Sequence, residues 1–232
     1  MIARLYPLLL GAYGPQGWWP ILSMAGRPGF DAKGYHPGLL APPRTRRQRF
    51  EIALGAVLTQ NTAWVNVERA LAGLSSAGVR MPSDVLGMER DRLAVLVRSS
   101  GYHNQKARKL SVLSAFFASP SALCSSDVPA REELLALWGI GEETADSILL
   151  YAFHQPLFVI DAYTRRFLGR VGVIGGGESY AEIQSLFHAS LPSDDELYNE
   201  YHALIVAHAK ARCRAQPVCA GCPIVRCARR RS

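Results

Sequence analysis

The chain has no apolar run long enough to cross a membrane. The longest near its start, Leu8-Leu9-Leu10-Gly11-Ala12, falls far short of the roughly 20 residues a spanning helix needs. It also lacks a basic segment leading into a long apolar core and a cleavage site, so a secretory leader is not expected. Both absences point to the cytoplasm, where thiols stay reduced. Cysteine is scarce until the end: of five, only Cys124 precedes residue 213. A disulfide framework is a poor explanation for that distribution, and Cys124 reads as a small buried hydrophobe. Sustained two-residue alternation is missing, so nothing demands a sheet; Leu157-Phe158-Val159-Ile160 is an isolated strand candidate. Internal repeats and low-complexity tracts are absent as well. Acidic residues are outnumbered, 19 against 26 Lys and Arg, for a formal net charge of +7, and this excess favours a polyanionic partner.

What the chain does have is helical patterning. Its 232 residues suit one large domain or two small ones, and an apolar fraction of 49% provides for a packed core. Thr45 and Gln48 have the spacing of a capping box, and Phe50, Ala53, Leu54 and Val57 form the first apolar stripe. That helix ends in a polar knot, Leu58-Thr59-Gln60-Asn61-Thr62. Further stripes are Trp64, Val67, Leu71 and Leu74; then Ala107, Leu110, Leu113 and Phe117; and last Leu197, Tyr201, Leu204 and Ile205. Shorter helices are expected around 83–88 and 90–98, a loop over Ser100–Lys106, and a second capping box at Ser179 and Glu182. The Gly- and Pro-rich stretch 21–44 reads as a long loop, a linker or a functional lid. The chain is all-α.

The most informative stretch is Leu137 to Asp161. A helical run over Arg131–Trp138 meets Gly139-Ile140-Gly141, and a second helix follows with Ala145, Ile148, Leu149 and Ala152 on one face. Glycines permit positive φ and a close approach to the backbone. The free N–H groups and dipole of the second helix then offer a seat for a phosphate. Asp161 follows, either as the N-cap of the next helical run or as a functional carboxylate. Trp18 and Trp19, between Gly17 and Pro20, are either a core plug or the aromatic wall of a ligand site.

Cys213, Cys219, Cys222 and Cys227 follow the spacing C-x5-C-x2-C-x4-C and read as a metal site. Structural zinc usually takes two close Cys pairs, whereas this segment has one Cys-x2-Cys with a single cysteine on each side. A [4Fe–4S] cube fits such a loop. Seven Lys and Arg and no acid lie between Ala203 and Ser232 (Lys210, Arg212, Arg214, Arg226, Arg229, Arg230 and Arg231). They read as a solvated tail or as a phosphate-contacting face.

The helix–Gly-Ile-Gly–helix unit, the Asp that follows it, the knot holding Gln60 and the terminal four-cysteine loop together resemble the helix-hairpin-helix DNA glycosylase superfamily, specifically endonuclease III-like proteins. The resemblance covers nearly the whole chain outside 21–44. It implies a six-helix barrel over 45–155, and a second helical domain from 1–44 and 156–232 that carries an iron–sulfur loop at 213–227. A damaged nucleotide is flipped into the cleft between them. It further implies a monomer acting on double-stranded DNA that contains a damaged base, with no membrane, in a nucleoid-associated cytoplasmic setting. Gly139, Ile140, Gly141 and Thr144 would contact DNA, with a monovalent cation bridging at the hairpin. Gln60 would fill the gap left by the flipped base, Tyr102 would wedge the partner strand, and Asp161 would be the catalytic carboxylate. Strand-cleaving members carry a Lys just before Thr-Ala; here Glu143 occupies that slot, and a carboxylate cannot form an imine. A monofunctional glycosylase using water is therefore expected.

Tyr-Gly-Pro-Gln-x-Trp-Trp-Pro, Leu-Thr-Gln-Asn-Thr and Gly-Ile-Gly-x-Glu-x-Ala-Asp look most like the 3-methyladenine DNA glycosylase branch. That likeness assigns Trp18, Trp19, Pro20 and Trp64 to the base pocket. An alkylated purine is cationic, so an aromatic box suits it, at about 1–2 kcal/mol per face. The outer cysteine gaps are each one residue shorter than the usual endonuclease III loop. Two other functions compete: a glycosylase for oxidised or deaminated pyrimidines with weak or no lyase activity, and a catalytically weak damage-binding protein.

Overall fold

The structure, a computed structural model, describes residues 1–38, 43–119, 122–124, 126–225 and 227–228. Among them are eleven α-helices and no strand. These are α1 (Ile2–Tyr13), α2 (Arg46–Leu58), α3 (Trp64–Ser76), α4 (Pro82–Leu86), α5 (Arg90–Leu96), α6 (His103–Phe116), α7 (Arg131–Leu135), α8 (Glu142–Phe153), α9 (Ala162–Val171), α10 (Tyr180–Ser190) and α11 (Asp195–Ala211). The all-α class holds, and no helix is long and apolar enough to cross a membrane. Both capping boxes form, Thr45 with Gln48 on α2 and Ser179 with Glu182 on α10.

The strand candidate Leu157–Ile160 is not a strand. It runs without a ladder because α10 side chains take the place of a paired strand. The Phe158 N–H donates to His188 Nε2 (3.1 Å), the Ile160 N–H to the Tyr180 hydroxyl (3.3 Å), and Gln184 Nε2 to the Phe158 carbonyl (2.9 Å). Two other expectations shift by a few residues. Helix α6 begins at His103, so the predicted loop ends at Tyr102, and the helix before the hairpin stops at Leu135.

Helices α2 and α8 form the centre and pack along each other. Ten residues of each are buried, so neither shows the one-sided face of a surface helix. Around them α3, α6 and α7 close one side, and α11 packs on α8 and α9. Helix α1 lies on α10 and α11, where the Tyr201 hydroxyl donates to the Ile2 carbonyl (2.8 Å), so the two chain ends meet. Buried Lys106 donates to the Leu58 carbonyl (2.8 Å) at the end of α2 and to the Ser100 carbonyl (2.7 Å). A cation at a helix C-terminus is favourable. Burial first, then the charge of Lys109, push its ammonium pKa down to about 8.

The 21–44 stretch is not a linker over its described part, 21–38. It folds back along the two tryptophans: the Ile21 N–H donates to the Gly34 carbonyl (2.9 Å), the His36 N–H to the Gly17 carbonyl (3.2 Å), and His36 Nε2 contacts the Trp19 carbonyl (3.1 Å). Gly17 is required there. Its φ is +63°, and a Cβ would lie 2.2 Å from the Pro37 nitrogen. Residues 39–42 lie outside the described residues.

The hairpin is braced by a buried ion pair. Arg131 on α7 grips Asp146 on α8 with two bonds (2.6 and 3.2 Å), and Gln184 of α10 donates to the same carboxylate (2.8 Å). Asp146 is fully buried, so removing it strands a guanidinium at a helix junction. Asp146→Ala is expected to lower unfolding free energy by about 3 kcal/mol or more, read as a reduced urea midpoint with an unchanged slope.

Candidate active site

The hairpin between α7 and α8 is tight for a local reason. Gly139 sits at φ +84°, a left-handed conformation that a side chain would strain, and a Cβ there would meet Lys109 at 2.5 Å. Gly141, the N-cap of α8, has ordinary extended geometry, so only one of the two glycines is needed for its backbone angle. The Ile140 side chain is buried and its N–H donates to the Leu137 carbonyl (3.1 Å), so that N–H is already engaged. The orphan N–H groups of the first turn, from Gly141 to Thr144, remain for an anion. Glu142 and Glu143 stand in that turn, and Arg131 pairs with Glu142 at 3.6 Å.

Gln60 is bound to this hairpin. Its amide donates to the Gly139 carbonyl (3.1 Å) and to Thr144 Oγ1 (2.9 Å), while Lys109 donates to its carbonyl oxygen. The polar knot therefore has a structural task in this state. Any gap-filling by Gln60 requires releasing these bonds. Tyr102 stands apart from this cluster, 65% exposed at the start of α6, in a left-handed conformation with φ 46°.

Asp161 caps α9, accepting the Thr164 N–H at 2.7 Å. His202 of α11 approaches its other oxygen, Nε2 to Oδ2 at 3.6 Å, beyond hydrogen-bond length but within ion-pair reach. Burial pushes the Asp161 carboxyl up, yet the charge and proximity of His202 and the Thr164 contacts outweigh it and hold the group below its ordinary value. His202 is in turn fixed through Nδ1 by the Tyr151 hydroxyl on α8 (2.5 Å). Complete burial, then the charges of Asp161, Glu200 and Glu143, raise the tyrosine well above its usual range, so it stays protonated. The hydrogen bond between the Tyr151 hydroxyl and Nδ1 orients the ring so that Nε2 faces Asp161.

A cavity of about 110 Å³ gathers these groups. Asp161, His202, Glu143 and Lys210 line it together with Trp18, Trp19, Trp64, Thr59, Thr62 and Tyr163. Three of the four residues expected at a base pocket thus share one wall. Pro20 is buried and does not reach the cavity. The indoles meet edge to face, Trp18 on Trp64 at 4.6 Å and Trp19 on Trp64 at 5.3 Å, and Trp19 leans on Tyr151 at 5.1 Å. Gly55 of α2 makes room for Trp19, since a Cβ there would meet its ring at 3.0 Å. The cavity is smaller than the roughly 300–1,000 Å³ of ligand pockets. A larger cavity of about 470 Å³ lies on the other side of Trp18, but Asp194, Asp195, Glu196 and Glu200 line it and repel phosphate.

Sequence reasoning missed Tyr151, His202 and the cavity placement of Lys210. The signal was present in α11, where His202 interrupts an otherwise apolar inward face between Tyr198 and Ile205. Burial lowers the Lys210 ammonium pKa, while Asp161 and Glu68 pull it back up.

All five cysteines are free thiols. Cys213, Cys219, Cys222 and Cys227 line one cavity beyond the end of α11, closed by Phe167, Val171 and Ile224. Arg170 donates to Cys213 Sγ (3.2 Å), Arg166 to the Cys213 carbonyl (2.8 Å), and the Cys227 thiol to the Arg170 carbonyl (3.1 Å). Among the described residues no three His, Cys, Asp or Glu side chains converge as a single ion requires. Four thiols spread round a shared apolar cavity instead fit the donor set of a larger iron–sulfur group. In the basic tail, Arg212 donates to the Ala220 carbonyl of the loop (2.6 Å) and Arg214 to the Lys210 carbonyl near the end of α11 (3.0 Å). Arg226, Arg229, Arg230 and Arg231 lie outside the described residues.

A helix-hairpin-helix beside a capped, buried carboxylate and an aromatic cleft defines a base-excising DNA repair enzyme. The chain belongs to the HhH-GPD superfamily of base excision DNA repair proteins, whose pattern matches residues 54–193. It is 39% identical over 231 residues to a Methanocaldococcus jannaschii protein assigned as a DNA repair glycosylase, covering 97% of this chain and 94% of that one. Among solved structures it is similar to the H. pylori 3-methyladenine DNA glycosylase bound to 1,N6-ethenoadenine, with a TM-score of 0.60 and 33% identity, over 69% of this chain and 84% of that one. It is also similar to an endonuclease III trapped in a covalent intermediate with DNA, with a TM-score of 0.68 and 27% identity, over 78% and 84% of the two chains. It is a DNA glycosylase of base excision repair.

His202→Leu removes the group that offsets burial at Asp161. A carboxyl with a depressed folded pKa adds stability above its unfolded pKa and loses it as pH falls through the folded value. In the variant the Asp161 carboxyl is expected to protonate at higher pH, read by carboxyl-carbon NMR titration.

Proposed function

We propose that this glycosylase hydrolyses the N-glycosidic bond of alkylated purines such as 3-methyladenine and leaves the abasic site intact. The observation that carries this reading is the cavity in which Trp18, Trp19 and Trp64 face Asp161. A cationic purine gains cation–π and stacking energy from indoles. It also departs as a neutral base, so the protein's main task is to stabilise positive charge on the sugar. Asp161 does this as a carboxylate kept ionised at neutral pH, and it takes the proton of the attacking water. DNA lies across the cleft between the 45–155 unit and the unit of both chain ends. The α8 N-terminus, at Gly139 to Thr144, holds a backbone phosphate, assisted by Lys109 and a monovalent cation; Tyr102 supports the opposite strand, and Gln60 leaves the hairpin to fill the gap. The protein acts as a monomer.

Glu143 stands where strand-cleaving members carry a lysine, which removes the imine-forming amine from the hairpin. A second reading, excision of oxidised or deaminated pyrimidines, draws on the higher TM-score of 0.68 to endonuclease III. One panel separates them. Duplexes carrying 3-methyladenine, 7-methylguanine, thymine glycol or uracil are incubated with native protein and Asp161→Asn, with borohydride trapping on an abasic duplex alongside. Native protein is expected to release the methylated purines, Asp161→Asn to lose about 10² or more of that rate, and trapping to give no adduct. Release of pyrimidines alone sinks the purine reading. An adduct abolished by Lys210→Arg would show that the lysine lining the cavity performs lyase chemistry. Turnover indifferent to Asp161→Asn would leave only damage binding.

The four cysteines at 213, 219, 222 and 227 hold a [4Fe–4S] cluster on this reading; when bound it ties the C-terminal loop and carries no bond-breaking step. Protein purified without oxygen is expected to contain about four iron and four sulfide per chain, with a visible absorbance lost in Cys222→Ser. One zinc per chain without sulfide would refute the assignment.

A further inference from the structure

We propose that Glu143 donates the proton that lets an uncharged base leave, so that the enzyme excises neutral modified purines as well as cationic ones. This inference rests on the purine reading above. Glu143 lies in the first turn of α8 and lines the same cavity as Asp161, Trp18, Trp19 and Trp64. Its side chain is open to solvent through the cleft, and no hydrogen-bond partner holds its carboxyl among the described residues. A neighbouring glutamate, Glu142, is committed to Arg131 instead. The cavity therefore presents two carboxyl groups with opposite settings. Asp161 has a capping hydrogen bond and His202 in ion-pair reach to keep it ionised; Glu143 has the α8 dipole and the charges of His202 and Arg165, but no hydrogen bond to its carboxyl among the described residues.

The charged and titratable groups facing Glu143 come from three elements: Asp161 and Arg165 at the start of α9, His202 and Lys210 of α11, and Tyr151 of α8 itself. Although the residue as a whole is exposed, the cleft walls crowd its carboxyl: this desolvation first, and then the Asp161 charge, push Glu143 up to about 6, with His202 and Arg165 pulling the other way. A base seated in the cleft displaces water and disfavours the charged form further. Two titratable groups set apart in this way divide into an acid and a base.

The chemistry balances. Breaking the C1′–N9 bond sends its electron pair to the base. A cationic purine then leaves neutral, but an uncharged purine would leave as an anion. The Glu143 carboxyl gives its proton to a ring nitrogen of that base and becomes a carboxylate. Water forms the new bond to C1′ and passes its proton to Asp161. That proton returns to Glu143 through solvent, so the sum is one water consumed.

The test uses full-length, cluster-loaded protein under single turnover, with duplexes bearing 1,N6-ethenoadenine or hypoxanthine (neutral) and 7-methylguanine (cationic), between pH 5 and 8.5. Native protein is expected to release all three. Excision of the neutral bases should decline as pH rises through the Glu143 range, while 7-methylguanine shows no such limb. In Glu143→Gln the ratio of neutral to cationic rates is expected to fall about 10²-fold, and the declining limb should vanish. Glu143→Asp should restore part of the ratio. Thermal melting of each variant reports folding. An unchanged ratio, or no release of neutral bases by native protein that does release 7-methylguanine, overturns the proposal and leaves the purine reading intact. Glu143-dependent release of neutral bases without release of 7-methylguanine, or release of none of the three, overturns the cationic-purine reading and with it the proposal that rests on it.

Discussion

An ionised carboxylate held almost out of water is the constraint on which the rest of this structure depends. The Asp161 side chain is 13% exposed, and burying such a charge is costly unless it is paired and hydrogen-bonded. Two sources offset that cost. One is local: the first turn of α9 offers its Thr164 N–H and the positive end of its dipole. The other is remote: α11 presents His202, which Tyr151 of α8 holds in one orientation. The carboxylate is thus supported only where α8, α9 and α11 meet in one relation. The helix cap places this carboxylate in the cavity, so capping α9 does not compete with the catalytic role proposed for Asp161.

The aromatic wall follows from the same junction. Tyr151 supports His202 through its hydroxyl and Trp19 through its ring, so the carboxylate's support and the inner indole share a residue. Trp19 reaches that position because Gly55 leaves space on α2 and because the 21–38 segment bonds along the Trp18–Pro20 backbone. Trp18 and Trp64, less buried, form the outer part of the wall. Their edge-to-face packing narrows the cavity and keeps apolar surface from water.

Much of the helical framework was legible because capping and periodicity are local. Thr45 with Gln48 and Ser179 with Glu182 fixed two helix starts, and the stripes on α2, α3, α6 and α11 were visible as spacing alone. The carboxylate at 161, the tryptophans and the four-cysteine loop could likewise be singled out by residue type. What remained hidden depends on pairs far apart in the chain. Tyr151 and His202 were not singled out, because their meaning comes from contact across 51 residues. The 157–160 segment misled for a related reason. Its β-type residues are extended, but His188, Tyr180 and Gln184 satisfy its backbone from a helix that periodicity cannot place.

The cysteine loop enters the same mechanical scheme through α9. That helix carries Asp161 at its start and Arg166 and Arg170 further along, and both arginines bind the segment around Cys213. In return, the Cys227 thiol bonds the Arg170 carbonyl near the helix end. Helix α9 thus joins the cysteine loop at one end to the carboxylate cap at the other. A cluster gripping four thiols would fix the far end of α9 as firmly as Thr164 and His202 fix the near end. On this view the iron–sulfur loop need not approach the reacting sugar to matter. It holds in place the helix whose first turn holds the charge.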